Sequence, residues 1–126
     1  MKRSLTSLLG MALLPISGQL AFAADRPIIT FADIYASPDN EQLNLDYARQ
    51  QAEAGELLDA AAALERMLFA RPNWDSARLL YALVLYRVDD RDAAERELNL
   101  LDTRPLTASQ RATLDRYRGT FRDDPV

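Results

Sequence analysis

Carboxylates are the only abundant groups in this chain that could do acid–base chemistry. Two adjacent pairs stand out, Asp89-Asp90 and Asp123-Asp124. Paired acids can hydrolyse glycosidic bonds when an apolar pocket raises the pKa of one of them. Here the first pair falls at a turn and the second in a polar C-terminal stretch, and neither has an evident apolar pocket around it. Histidine and cysteine are absent. That excludes Ser–His–Asp and Cys–His nucleophilic machinery and the usual zinc and haem ligands. The four glycines form no phosphate-binding pattern. No catalytic residue, metal or cofactor is therefore expected, and a carboxylate-only hydrolase is the remote alternative.

The elements that would position any site begin after an export-like segment. Met1-Lys2-Arg3 is a short basic start, an apolar stretch runs from Leu5 to Ile16, and Ala21-Phe22-Ala23 has small residues at the positions a signal peptidase reads. This order predicts a secretory signal peptide over 1–23, cleaved after Ala23, and so a periplasmic protein. The stretch is too short and interrupted for a stable membrane span. Cleavage would remove two of the 15 basic residues and none of the 19 acidic ones, taking the net charge from −4 to −6. An acidic chain of this kind is no match for a phosphate backbone, and no nucleic-acid partner is expected. With no disulfide, apolar packing alone must hold the remaining residues together, and 48% hydrophobic content makes that feasible.

The region after the signal repeats with a period of 34. Shifting by that amount aligns Pro38 with Pro72, Tyr47-Ala48 with Tyr81-Ala82, Gly55 with Asp89, Ala60 with Ala94 and Leu64 with Leu98. Within each period the apolar spacing is helical. Ser37 reads as an N-cap with Pro38 at the first helical position, followed by a helix from Asp39 to Ala54 that Gly55 ends. A second helix covers Leu57 to Ala70 and stops at Pro72. Asn73 caps a third that runs to about Val88, and Ala93 to Leu101 is the fourth. Thr107 and Gln110 predict a capping box for a fifth, from Ala108 to about Arg118, with Gly119 past its end. The domain plan is 24–37 as an N-terminal arm or half-repeat, 38–121 as the helical domain and 122–126 as a frayed tail. Ala48, Ala82, Ala60 and Ala94 are expected at seams where helices approach closely.

The pattern Tyr47-Ala48, Gly55, Ala60, Leu64, Pro72, then Tyr81-Ala82, Ala94, Leu98, resembles the tetratricopeptide repeat over about residues 39–106. At the family's tryptophan position this chain has Asn44 and Arg78. The resemblance implies an all-α fold, an α-solenoid of two helix pairs closed by a C-terminal capping helix, with residues 28–37 as the end of a preceding second helix. An exported block of this kind also resembles the periplasmic repeat domain that precedes outer-membrane barrels in surface lipoprotein assembly modifiers.

In the repeat family the first helices line a concave binding side. Carried over, that gives Leu45, Leu79, Leu83 and Tyr86 as an apolar floor flanked by Arg49 and Arg87, on which an extended peptide or short helix would lie. The same spacing also suits burial of the leucines and Tyr86 against a neighbouring helix and solvation of the arginines. The asparagine and lysine set with which some members clamp a C-terminal carboxylate is absent. Trp74 is expected to pack across its turn onto the second helix, and Ile28, Ile29, Phe31, Ile34 and Tyr35 to cover the open end of the first pair. The implied function is a non-catalytic scaffold or adaptor that binds a protein or peptide partner in the cell envelope. Self-association into a homodimer is the alternative class.

Overall fold

A computed structural model describes residues 27–124. The signal peptide expected over 1–23 and the last two residues of the tail lie outside the described residues. Within them the fold is all-α, with six helices: α1 (Phe31–Ala36), α2 (Glu41–Glu53), α3 (Leu57–Ala70), α4 (Asp75–Arg87), α5 (Arg91–Asp102) and α6 (Ala108–Asp123). Each helix packs against the next, except that α6 meets α4 as well as α5, and α2 also touches α4. None of these helices is long and apolar enough to cross a membrane.

The core divides into two clusters that share α4. One joins α2, α3 and the Ala77–Leu80–Val84 side of α4. The other joins the Leu79–Ala82–Leu85 side of α4 to Ala94, Leu98 and Leu101 of α5 and to Leu114 and Phe121 of α6. A helix buried on two sides must be apolar around most of its circumference, and α4 is. By contrast α5 buries a single stripe at Ala94, Leu98 and Leu101, spaced one and two turns apart. The four alanines expected at seams, Ala48, Ala60, Ala82 and Ala94, are all fully buried.

Two helices end in the same way. Gly55 follows α2 at φ 84° and Asp89 follows α4 at φ 68°. Gly55 N–H donates to Ala52 O and Glu56 N–H to Gln51 O; Asp89 N–H donates to Tyr86 O and Asp90 N–H to Leu85 O. Both are Schellman closures, in which the left-handed residue lets two orphan carbonyls be satisfied at once. The capping box of α6 also forms, with Gln110 N–H donating to Thr107 Oγ1 at 3.1 Å and Thr107 N–H to Gln110 Oε1 at 2.9 Å.

Several helix ends differ from expectation, among them the start of α5, at Arg91 rather than Ala93. Pro38 does not open a helix, whereas Pro72 follows the end of α3 as expected. Each is the second residue of a β-turn closed by Asn40 N–H to Ser37 O and by Trp74 N–H to Arg71 O, a position that suits proline's fixed φ. Asn40 rather than Ser37 then caps α2, accepting from Leu43 N–H at 3.0 Å. Trp74 rather than Asn73 precedes α4, with no side-chain cap. Finally, α6 runs through Gly119 to Asp123, because the turn beyond Gly119 buries Phe121. Burying a phenylalanine contributes about 1.5–3 kcal/mol, and a helical glycine costs only about 1 kcal/mol.

Candidate functional site

The expected groove floor is occupied by the chain itself. Leu45 belongs to the first core cluster and Leu79 to the second, and both are buried. Leu83 and Tyr86 are half-buried against the second cluster. Leu45 is covered by α3 and α4, and for the three residues of α4 the cause is α6, which lies along that helix. Tyr86 and Phe121 stack with ring centroids 4.1 Å apart, and Gln110 Nε2 donates to Ser76 Oγ at 3.1 Å. Leu45 and Leu79 are therefore packing residues, while Leu83 and Tyr86 keep part of their surface exposed. The flanking arginines are exposed. Arg49 is held by Asp46 on its own helix at 2.9 Å, and Arg87 projects from the last turn of α4.

The acid pairs take structural positions. Asp89 is the left-handed residue of a Schellman closure, and Asp90 caps α5 by accepting from Ala93 N–H at 3.2 Å. Asp123 completes α6. Asp124 accepts from the Tyr86 hydroxyl and pairs with Arg91 at 3.3 Å. Residues 122–124 thus do not form the frayed tail expected from sequence. Arg91 gathers one acid from each pair, Asp89 at 3.4 Å and Asp124, and lies over the Tyr86 ring at 5.0 Å. The Asp124 bond, with some desolvation, holds the Tyr86 hydroxyl above the usual phenol range. This cluster latches the C-terminal end of α6 to α4.

Tyr81 lies between the two core clusters. Its hydroxyl donates to Glu65 Oε1 at 2.9 Å. Burial, aided by this bond, pushes its pKa up to about 12. That makes it a tie between α3 and α4 and a poor proton donor near neutrality.

Only part of the N-terminal arm covers the first helix pair. Ile34 is buried, while Ile28, Phe31 and Tyr35 remain 85%, 59% and 80% exposed. Gln50 of α2 holds the arm in place. Its Oε1 accepts from Ile29 N–H at 2.9 Å and its Nε2 donates to Pro27 O at 2.8 Å.

The cavity that sequence reasoning missed lies beneath this arm. It measures about 530 Å³ and opens between α1, the N-terminal end of α2 and the C-terminal half of α3. Ile34, Ala63, Met67 and Trp74 supply apolar wall. Trp74 is half-buried against the first core, as its expected role requires, and still presents part of its surface to the cavity. Asp39, Glu41, Arg66 and Arg71 stand around it, with Glu41 and Arg71 joined as an ion pair. The volume falls within the range of natural ligand sites. A signal for it was available in the 34-residue frame, where Asn44 and Ala63 are short at positions that hold Arg78 and Glu97 one period later. Comparison of the chain with protein-family models, with curated proteins and with solved structures found no match.

Proposed function

We propose that this chain is an exported, non-catalytic adaptor of the tetratricopeptide class, built from two helix pairs (α2–α3 and α4–α5) and a closing helix α6, and that it holds a protein partner in the cell envelope. The observation that carries this reading is the recurrence of the same contacts at the 34-residue interval. The Schellman closures at Gly55 and Asp89 correspond. So do the clasps in which the side chains of Asn44 and Arg78 donate to the carbonyls of Pro38 and Pro72. The contact order, in which α2 meets α4 and α4 meets α6, is that of first helices stacking on first helices.

Partner binding on this reading uses surfaces that α6 leaves free, including the exposed Arg49 and Arg87 and the cavity at Trp74. Export is tested by N-terminal sequencing of the protein from an envelope fraction. A mature chain beginning at Ala24 is expected, and an intact Met1 start in the cytosol would overturn that part. The adaptor role is tested by gel filtration of the protein with its co-purifying material. A partner at fixed stoichiometry is expected, and an isolated, folded monomer from every fraction would overturn it.

Self-association is the second reading, favoured by Phe31 and Tyr35. They lie one turn apart on the outward face of α1, with Ile28 beside them, all exposed. Light scattering over a concentration series separates the two readings. A dimer that Tyr35→Glu dissociates would favour this one.

A further inference from the structure

The first helix pair has the acceptors of an arginine-binding turn and lacks the arginine. In the second pair the turn at Pro72 is filled by the protein's own guanidinium groups. Arg78 donates to Pro72 O at 2.7 Å and is bonded to Glu97, the two side chains being mostly buried. Arg104 pairs with Asp75 at 2.9 Å and reaches Asn73 O at 3.5 Å. The turn at Pro38 has the same backbone course, and the Arg71–Glu41 pair stands near the place of Arg104–Asp75. What differs is the other pair. Asn44 replaces Arg78 and reaches Pro38 O at 3.1 Å with a short amide, and Ala63 replaces Glu97. The cavity lies where these two long side chains are missing.

We propose that this cavity receives an arginine side chain from a segment of the partner protein. Pro38 O accepts one hydrogen bond from Asn44 and keeps a second lone pair for a guanidinium. The Asp39 carboxylate borders the cavity and has no bonding partner among the described residues, so it supplies the charge that Glu97 supplies to Arg78. Trp74 and Met67 offer an apolar wall to the aliphatic stem, and the indole face favours a cation. The chain's acidic excess, a net charge of −4 over the full sequence and −6 without residues 1–23, draws a basic segment toward it. Of the other charges facing the cavity, Glu41 and Arg71 neutralise each other, and Arg66 opposes entry from an exposed position. The volume exceeds that of one arginine side chain, leaving room for a flanking apolar residue of the same segment. The proposal rests on the adaptor reading only in making the ligand part of a protein.

Trp74 is the sole tryptophan, so its fluorescence reports the cavity directly. The purified protein is titrated with a blocked Leu-Arg-Leu tripeptide and with blocked Leu-Gln-Leu. A saturable emission change with the first, at least tenfold tighter than with the second, is expected. The double substitution Asn44→Arg with Ala63→Glu, which transplants the second pair's side chains, should abolish the response while circular dichroism stays helical. Asp39→Asn, an exposed change that the fold tolerates, should weaken arginine-peptide binding at least threefold, and Arg66→Glu should tighten it. Equal response to both peptides, or unchanged affinity in Asp39→Asn, would overturn the proposal. Because no natural partner enters the measurement, that failure would leave the adaptor reading standing.

Discussion

Tyr86 and Phe121 lie face to face, 9° from parallel, and the Tyr117 ring lies 10° from parallel to Phe121 with centroids 6.2 Å apart. Thirty-five positions apart in the chain, the first two rings are where α6 is fastened to α4. The bond from the Tyr86 hydroxyl to Asp124 then holds the end of that helix.

Removing the central ring should therefore loosen the whole closing helix. Phe121→Ala is expected to lower stability by about 3 kcal/mol, at the low end for a buried phenylalanine. Phe69→Ala, at a residue 91% exposed, should shift it by less than about 0.5 kcal/mol. Urea unfolding followed by circular dichroism compares the two. Equal midpoints would show that α6 adds nothing to the fold.

The left-handed positions after α2 and α4 should respond in opposite directions. Asp89→Gly relieves a side chain held at φ 68° and is expected to stabilise by about 0.5 kcal/mol, since glycine's added unfolded-state freedom offsets part of the gain. The 3.4 Å contact with Arg91 that it loses is exposed and adds little. Gly55→Ala introduces the strain that glycine avoids and should cost about 1 kcal/mol. No atom would crowd a Cβ there, so a loss in its thermal midpoint would be attributable to φ alone.

Alanine at the seams sets the spacing between helices. Ala82 is fully buried in the second cluster, and Ala82→Leu is expected to destabilise by about 1–3 kcal/mol through overpacking. Ala62→Leu, on the exposed side of α3, is the control and should be near neutral. A calorimetric melt of each variant decides it.

Tyr81 gives the fold an alkaline limit. Its pKa lies at about 12 in the folded chain against 10.0 for an ordinary tyrosine. Between those values the folded state binds more protons than the unfolded one, so stability falls as pH rises. The contribution is complete below pH 10.0 and lost as pH approaches about 12. Tyr81→Phe should flatten the pH dependence of the urea midpoint across that window. An unchanged slope would mean that burial and the Glu65 bond do not raise the Tyr81 pKa in the folded chain.

What the sequence alone determined is what depends on near neighbours. The 3.6-residue spacing, Gly55, Thr107 with Gln110, and the alanines at the 34-residue interval each act over one or two helical turns, and the helices and seams they specify are present. The N-cap expected at Ser37 lies at Asn40 instead, because proline suits the first turn of a helix and the second position of a β-turn equally well, and the helix expected to be capped by Asn73 starts one residue later, after Trp74. The choice falls to the carbonyl clasps from Asn44 and Arg78, which reach six residues along the chain. Only the tertiary structure could decide whether Leu79, Leu83 and Tyr86 face a groove. That depends on α6 continuing past Gly119 so that Phe121 reaches Tyr86, a balance between local helix propensity and burial across distant segments. The cavity at Trp74 is likewise a property of packing. It arises where Asn44 and Ala63 are too short to span the space, and a void has no residue of its own for a sequence to display.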